Sequence, residues 1–138
     1  MNFDFAGKRI LVTGGTRGIG AAAVQGFLDA GAIVAVNGRT DQSTDEAVTH
    51  LPTEAFGVAG DVSSANVCRS LVARAVADMG GLDVLVNCAS VGRVGPPEIV
   101  HVPDCAIVLD NRLQGTLFCP PAALPTLPPP TATLLNFR

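Results

Sequence analysis

The stretch Thr13-Gly14-Gly15-Thr16-Arg17-Gly18-Ile19-Gly20 has the composition of an anion cradle. It follows a short apolar run and opens a helix, the setting in which a glycine pattern acquires meaning. The first amides of a helix have no partner inside it, and the helix dipole places partial positive charge on them. Phosphate binds there when no bulky side chain stands in the way. The spacing gives Gly14 a tight turn, Gly18 a close approach of backbone to ligand, and Gly20 a close packing of helix on strand. A strand-to-helix turn that holds no ligand seldom needs glycine at all three.

The elements that must position this cradle are legible as an alternation. Arg9 to Thr13 reads as a strand buried on both faces, because its apolar run is nearly continuous. Gly18 to Ala30 reads as a helix with Val24, Phe27 and Leu28 turned inward and Gly31 as its stop. Ala32 to Val36 is a second strand, Thr44 to His50 a short helix ended by Pro52, and Glu54 to Ala59 a third strand. Ser64 to Met79 is the clearest helix, with Val67, Leu71, Val72, Val76 and Met79 on one face and Gly80-Gly81 behind it. Leu82 to Asn87 is a fourth strand. The spacing predicts a helix within Asp104 to Phe118, broken by Pro120 and Pro121, and a fifth strand within Thr131 to Phe137. This order predicts an α/β fold, a doubly wound parallel sheet of four to five strands with helices on both faces. The chain reads as one domain over 1–138, with nine of ten prolines falling from Pro96 to Pro130 and marking a divergent part from 96 onward.

Three motifs in this order carry a resemblance. Thr13-Gly14-Gly15-Thr16-Arg17-Gly18-Ile19-Gly20, then Asp61-Val62 after the third strand, then Asn87-Cys88-Ala89-Ser90 after the fourth resemble the TGxxxGxG, DV and NNAG motifs of the short-chain dehydrogenase/reductase family. The likeness is close over residues 8 to about 90. It implies an incomplete Rossmann fold that binds NAD(H) or NADP(H). It further implies that the backbone of Gly14, Thr16, Arg17, Gly18, Ile19 and Gly20 holds the pyrophosphate and adenosine ribose. By the same resemblance Asp61 accepts from the adenine amino group with the Val62 amide beside it, and Asn87 and Ala89 line the ribose side. Cys88 and Ser90 depart from the family pattern, and both are small enough to be tolerated.

An NAD site presents a carboxylate to the ribose 2′-hydroxyl at the end of the second strand. Here that strand runs into Asn37-Gly38-Arg39, and no acid follows until Asp41. Asn37 can donate to a phosphate, Arg39 can grip one bidentately, and Arg17 adds a second guanidinium. Either arginine alone is equally well read as a solvated surface residue; the pair with the missing acid favours NADP(H) over NAD(H).

The family's hydride transfer uses a Tyr general acid or base with a nearby Lys, a Ser and an Asn. This chain has no tyrosine, and Lys8 is its lone lysine among nine basic residues. The stretch Thr133 to Asn136 resembles the family's fifth strand, which leads into the catalytic serine, and Arg138 stands just short of that point. Asn111 lies one position early for the helix asparagine, and Arg112 occupies that slot. Ser90 and Cys88 have no evident base beside them, and His101 is read as an ordinary histidine. Cys105 and Cys119 read as apolar fill. No catalytic residue and no metal-ligand set is assigned: Cys68, Cys88, Cys105 and Cys119 form no CxxC pair and no cluster with His50 or His101. Three functions fit: an oxidoreductase of this family with its coenzyme site and without its catalytic groups, a non-catalytic NADP(H)-binding regulatory or sensor module, or an active reductase using other residues or another subunit.

A net charge of −3 carries no basic stripe and argues against nucleic acid. The absence of a leader pattern and of a membrane-length apolar run argues for a cytoplasmic protein with reduced thiols. An uncovered sheet or helix face would favour self-association.

Overall fold

The computed structural model describes residues 4–89, 119, 123, 125 and 133–136. Five parallel strands form one sheet in the order β3-β2-β1-β4-β5, with β1 Arg9–Thr13, β2 Ile33–Gly38, β3 Ala55–Ala59, β4 Val84–Asn87 and β5 Thr133–Asn136. Three helices, α1 Gly18–Asp29, α2 Asp41–Val48 and α3 Ala65–Met79, connect the first four strands. The chain winds outward from β1 through β2 to β3, then returns to pair β4 on the other side of β1. The β1/β4 junction is therefore the place where strand order reverses, and ligands of such sheets bind outside the carboxyl ends of the strands at that point.

Side chains alternate across the sheet, and both sides are buried. Ile10, Val12, Val34, Val36, Val84 and Val86 face α1 through Val24, with Phe27 and Leu28 packed beside it. Leu11, Ala35, Val58 and Leu85 face α3 through Cys68, Leu71, Val72, Ala75 and Met79. Burial on both faces is why the strands read as continuous apolar runs rather than as alternating ones.

Three details differ from the sequence reading. The buried face of α3 runs through Cys68, Leu71, Val72, Ala75 and Met79, whereas Val67 and Val76 are only half-buried. The face is turned by one residue because the small Cys68 and Ala75 let the helix lie close to the sheet. Helix α2 begins three residues before Thr44 and ends before His50, because Thr40 caps it. The Thr40 hydroxyl accepts from the Ser43 amide at 3.3 Å, and the Ser43 hydroxyl accepts from the Thr40 amide at 3.4 Å. A serine at the third helical position makes this box, where Glu or Gln is the usual signal. Cys119 and Ala123, on either side of Pro120-Pro121, are both helical; the helix expected within Asp104 to Phe118 lies outside the described residues.

The opposite end of the sheet is closed by Arg9 and Asp83. The Arg9 guanidinium donates to both Asp83 carboxylate oxygens at 2.9 and 3.0 Å and to the Gly80 carbonyl at 2.8 Å. The Asp83 carboxylate also accepts from the Arg9 backbone amide at 2.9 Å. These bonds tie the start of β1 to the turn between α3 and β4, and they hold the Asp83 carboxyl below its usual range.

Candidate functional site

The loop between β1 and α1 is shaped by its neighbours before any ligand is considered. Gly14 has φ +64°, and a side chain there would place its first carbon 2.6 Å from the Ala89 Cα. A side chain on Gly20 would fall on the Gly14 carbonyl oxygen. Gly20 therefore serves closure of the loop upon itself, not the packing of helix on strand that its position in the motif suggests. Gly18 differs from both: its φ is +57°, and a side chain would meet nothing within 4 Å. The left-handed turn is needed there, yet the space beside it is open.

Two loop amides are already used. The Gly15 amide donates to the Asn37 carbonyl at 2.8 Å, and the Gly14 amide donates to the Asn37 side-chain oxygen at 3.3 Å. The Asn37 side-chain amide donates in turn to the carbonyls of Val58 at 2.9 Å, Gly38 at 3.0 Å and Gly60 at 3.1 Å. Asn37 is buried, at 2% exposure. The sequence reading gave it to a phosphate; its amide hydrogens are instead turned inward onto carbonyls. Its work is to join the glycine loop to the carboxyl ends of β2 and β3. A buried asparagine satisfied on both its oxygen and its nitrogen has no donor left for a ligand.

The amides that remain lie one step on. Arg17 is the N-cap of α1, its side chain makes no capping bond, and the first backbone bond of the helix runs from the Ala21 amide to the Arg17 carbonyl. The amides of Gly18, Ile19 and Gly20 thus precede the first helical partner, and no acidic residue stands in the first turn. Ile19, beside them, is 65% exposed, against the trend of every other large apolar side chain described. An uncapped helix start flanked by the open space at Gly18 fits a phosphate group.

The other expected residues lie at the same edge of the sheet. A side chain on Gly38 would fall on Thr16 and Thr44, so the loop and the end of β2 are in contact, and Arg17 and Arg39 each follow a residue of that contact. Both arginines are exposed. Asp61 follows β3, and one of its carboxylate oxygens accepts from the Ser63 amide at 3.0 Å. The Gly60 amide donates to the Gly38 carbonyl at 2.9 Å, which holds the Asp61 segment against the end of β2. Val62 is buried. Asn87 ends β4 in register with Thr13, and the Ala89 amide donates to the Thr13 hydroxyl at 3.4 Å. Burial pushes the Cys88 thiol up, away from a reactive thiolate. Among the described residues no group of His, Cys, Asp or Glu could hold a metal ion, and no helix is long and apolar enough to cross a membrane. Ser90, His101, Asn111 and Arg112 lie outside the described residues.

The sequence reading missed two features. One is Asn37 as an organiser, whose partners stand one to 23 residues away in sequence. The other is a contact between Cys68 and Cys119, which the sequence reading left as unrelated residues; their sulfurs lie 3.3 Å apart. Neither is announced by a local motif, since both are made by tertiary packing.

Comparison with known proteins gives the same picture. The family model for short chain dehydrogenase matches residues 8–133. A glucose 1-dehydrogenase from Gluconobacter oxydans is 37% identical over 117 residues, covering 82% of this chain and 44% of that protein. The crystal structure of a short chain dehydrogenase from Burkholderia cenocepacia in complex with NADP is 31% identical, with a TM-score of 0.79 over 91% of this chain and 53% of that one. A short-chain dehydrogenase/reductase structure from Brucella melitensis reaches a TM-score of 0.86 at 26% identity, over 96% of this chain and 57% of that one. The chain spans about half the length of the curated relatives it matches.

Proposed function

We propose that this chain, which belongs to the short-chain dehydrogenase family, binds NADP(H) in preference to NAD(H) and contributes the coenzyme half of a carbonyl or alcohol oxidoreductase. The family uses a nicotinamide dinucleotide, and the Burkholderia cenocepacia structure among the similar proteins is a complex with NADP. When bound, the coenzyme supplies or accepts the hydride. The observation that carries the reading is the uncapped start of α1, where the Gly18, Ile19 and Gly20 amides stand beside open space.

The roles of the residues follow from the groups they offer. The free amides of the first turn hold the pyrophosphate, Thr16 and Gly14 shape the loop, and exposed Ile19 covers the apolar side of the ligand. Asp61 and Val62 face the adenine, and Asn87 and Ala89 border the ribose on the β4 side. Arg17 and Arg39, exposed and unopposed by an acid at the end of β2, clasp the 2′-phosphate. Asn37 touches no ligand and sets the spacing between the segments that do.

For turnover, we infer that these 138 residues alone do not complete the reaction, because they hold no tyrosine and no lysine beyond Lys8. A proton must reach or leave the substrate oxygen as hydride moves, and the tyrosine and lysine that carry it in the family are not among these residues. The second reading, a non-catalytic NADP(H) sensor or regulatory module, rests on that same absence. β5 forms an outer edge of the sheet among the described residues, and self-association along it would appear as a dimer in size exclusion.

The test is a titration of nicotinamide fluorescence with NADPH and NADH on the wild type and on Arg17→Ala and Arg39→Ala. A charge-assisted bond to phosphate contributes about 1.5–3 kcal/mol, so each variant should weaken NADPH by roughly ten- to a hundredfold and leave NADH nearly unchanged. Equal affinity for the two coenzymes in the wild type would refute the preference. Carbonyl-dependent loss of NADPH absorbance in the isolated chain would refute the inference about turnover.

A further inference from the structure

We propose that Cys68 and Cys119 are a redox-sensitive thiol pair that closes to an intramolecular disulfide under hydroperoxide, locking α3 to the helical segment that carries Cys119. Cys68 lies in the first turn of α3, and Cys119 lies 51 residues further along the chain. Their sulfurs are 3.3 Å apart, with the Cys119 thiol donating to the Cys68 sulfur. The Cys68 thiol donates onward to the Val62 carbonyl at 3.4 Å. Both residues are fully buried, in the cluster that includes Leu71, Val72 and Ala123. Two apolar side chains would fill this space as well, and a pair of thiols adds a bond that can form in place. A disulfide is about 2 Å long, so the sulfurs must close by little more than 1 Å.

The two thiols are not equivalent. The bond from Cys119 favours a thiolate on Cys68 and holds its pKa down. The same bond, with burial, pushes the Cys119 thiol far up. Cys68 is therefore the attacking sulfur and Cys119 the resolving one. The Cys68 thiolate attacks one peroxide oxygen; a sulfur–oxygen bond forms, the oxygen–oxygen bond breaks, and the departing hydroxide takes a proton to become water. The Cys119 sulfur then attacks the Cys68 sulfenic sulfur, the sulfur–sulfur bond forms, the sulfur–oxygen bond breaks, and the hydroxyl leaves with the Cys119 proton as a second water. Two thiols are oxidised by two electrons in all, and one hydrogen peroxide is reduced to two waters. Burial makes the first step wait on local opening, so closure is slow in the native protein.

The arginines permit a direct assay. Trypsin cutting after Arg39, Arg69, Arg74, Arg93 and Arg112 places Cys68, Cys88, Cys105 and Cys119 in four separate peptides, 40–69, 75–93, 94–112 and 113–138. The folded full chain is treated with hydrogen peroxide, its free thiols are alkylated, and it is digested without reduction. The expected product is peptide 40–69 linked to 113–138, two hydrogens lighter than the sum, with Cys88 and Cys105 recovered alkylated. Thioredoxin or dithiothreitol should reverse it, and Cys68→Ser or Cys119→Ser should remove it. The wild-type map needs no variant, so the assay stands even if a serine disturbs the core. Alkylated Cys68 and Cys119 after full peroxide exposure, pairing with Cys88 or Cys105 in comparable yield, or a link that appears only in urea would overturn the proposal.

Discussion

Gly14, Gly18 and Gly20 share a motif and do three different jobs, which substitution should separate. Alanine at Gly14 meets both a left-handed backbone and the Ala89 backbone, so it should destabilise the chain by about 3 kcal/mol and lower the melting temperature by roughly 10 °C. Alanine at Gly18 meets only the backbone strain, about 1–2 kcal/mol, and puts a methyl in the open space before the free amides. Its coenzyme affinity should fall by roughly tenfold or more while the melting temperature drops by only roughly 3–6 °C, well short of the Gly14 variant. Differential scanning fluorimetry beside a coenzyme titration measures both effects. A Gly18→Ala chain that binds as the wild type does would remove the phosphate from that helix start. Asn37→Asp should be the most damaging change at this edge: a buried carboxylate would face three carbonyl oxygens to which it cannot donate. A loss of more than about 3 kcal/mol is expected at neutral pH, easing in acid as the carboxyl gains a proton to donate. Chemical denaturation at two pH values checks it.

At the scale of elements, the Arg9–Asp83 bond gives the fold its pH dependence at one end. The folded-state pKa of Asp83 is depressed, chiefly by the Arg9 hydrogen bond. Its stabilisation is therefore fully present above the unfolded carboxylate value near 4 and is lost as pH falls through the folded value. Asp83→Asn should lower stability by about 1 kcal/mol at pH 7 and flatten the loss of stability below about pH 4. Denaturation midpoints from pH 7 to pH 2.5 distinguish the two chains. The same elements show how far a sequence can be read. The strands and helices were legible, because burial on both faces writes unbroken apolar runs and because Gly31 and Gly80 mark helix ends with φ of +84° and +75°. The glycine loop was legible for the same local reason. The turn of α3 toward Cys68 and Ala75 was not, since it depends on how closely helix and sheet approach. Nor was the inward orientation of Asn37: two of its partners, Val58 and Gly60, lie in β3 and just after it, brought beside β2 only by pairing across the sheet.

At the scale of the whole molecule, the described residues form a sheet whose order reverses between β1 and β4, with the proposed binding groups at the carboxyl ends of its strands and the charged clasp at the opposite ends. A coenzyme bound there as proposed would touch the loop, the end of β2 and the end of β3, which Asn37 already joins. Occupancy should therefore stabilise the fold as one unit. At a hundredfold excess over the dissociation constant, linkage gives about 2.7 kcal/mol, on the order of 8 °C in melting temperature. NADPH should deliver that rise at a lower concentration than NADH, and coincident unfolding by circular dichroism and by fluorescence would show that the unit is cooperative.

Calorimetric titration of the folded chain with NADPH and NADH tests the central claim most directly. One site per chain, with NADPH bound roughly tenfold or more tighter than NADH, is the predicted result. No heat with either coenzyme, from protein that melts cooperatively, would contradict it.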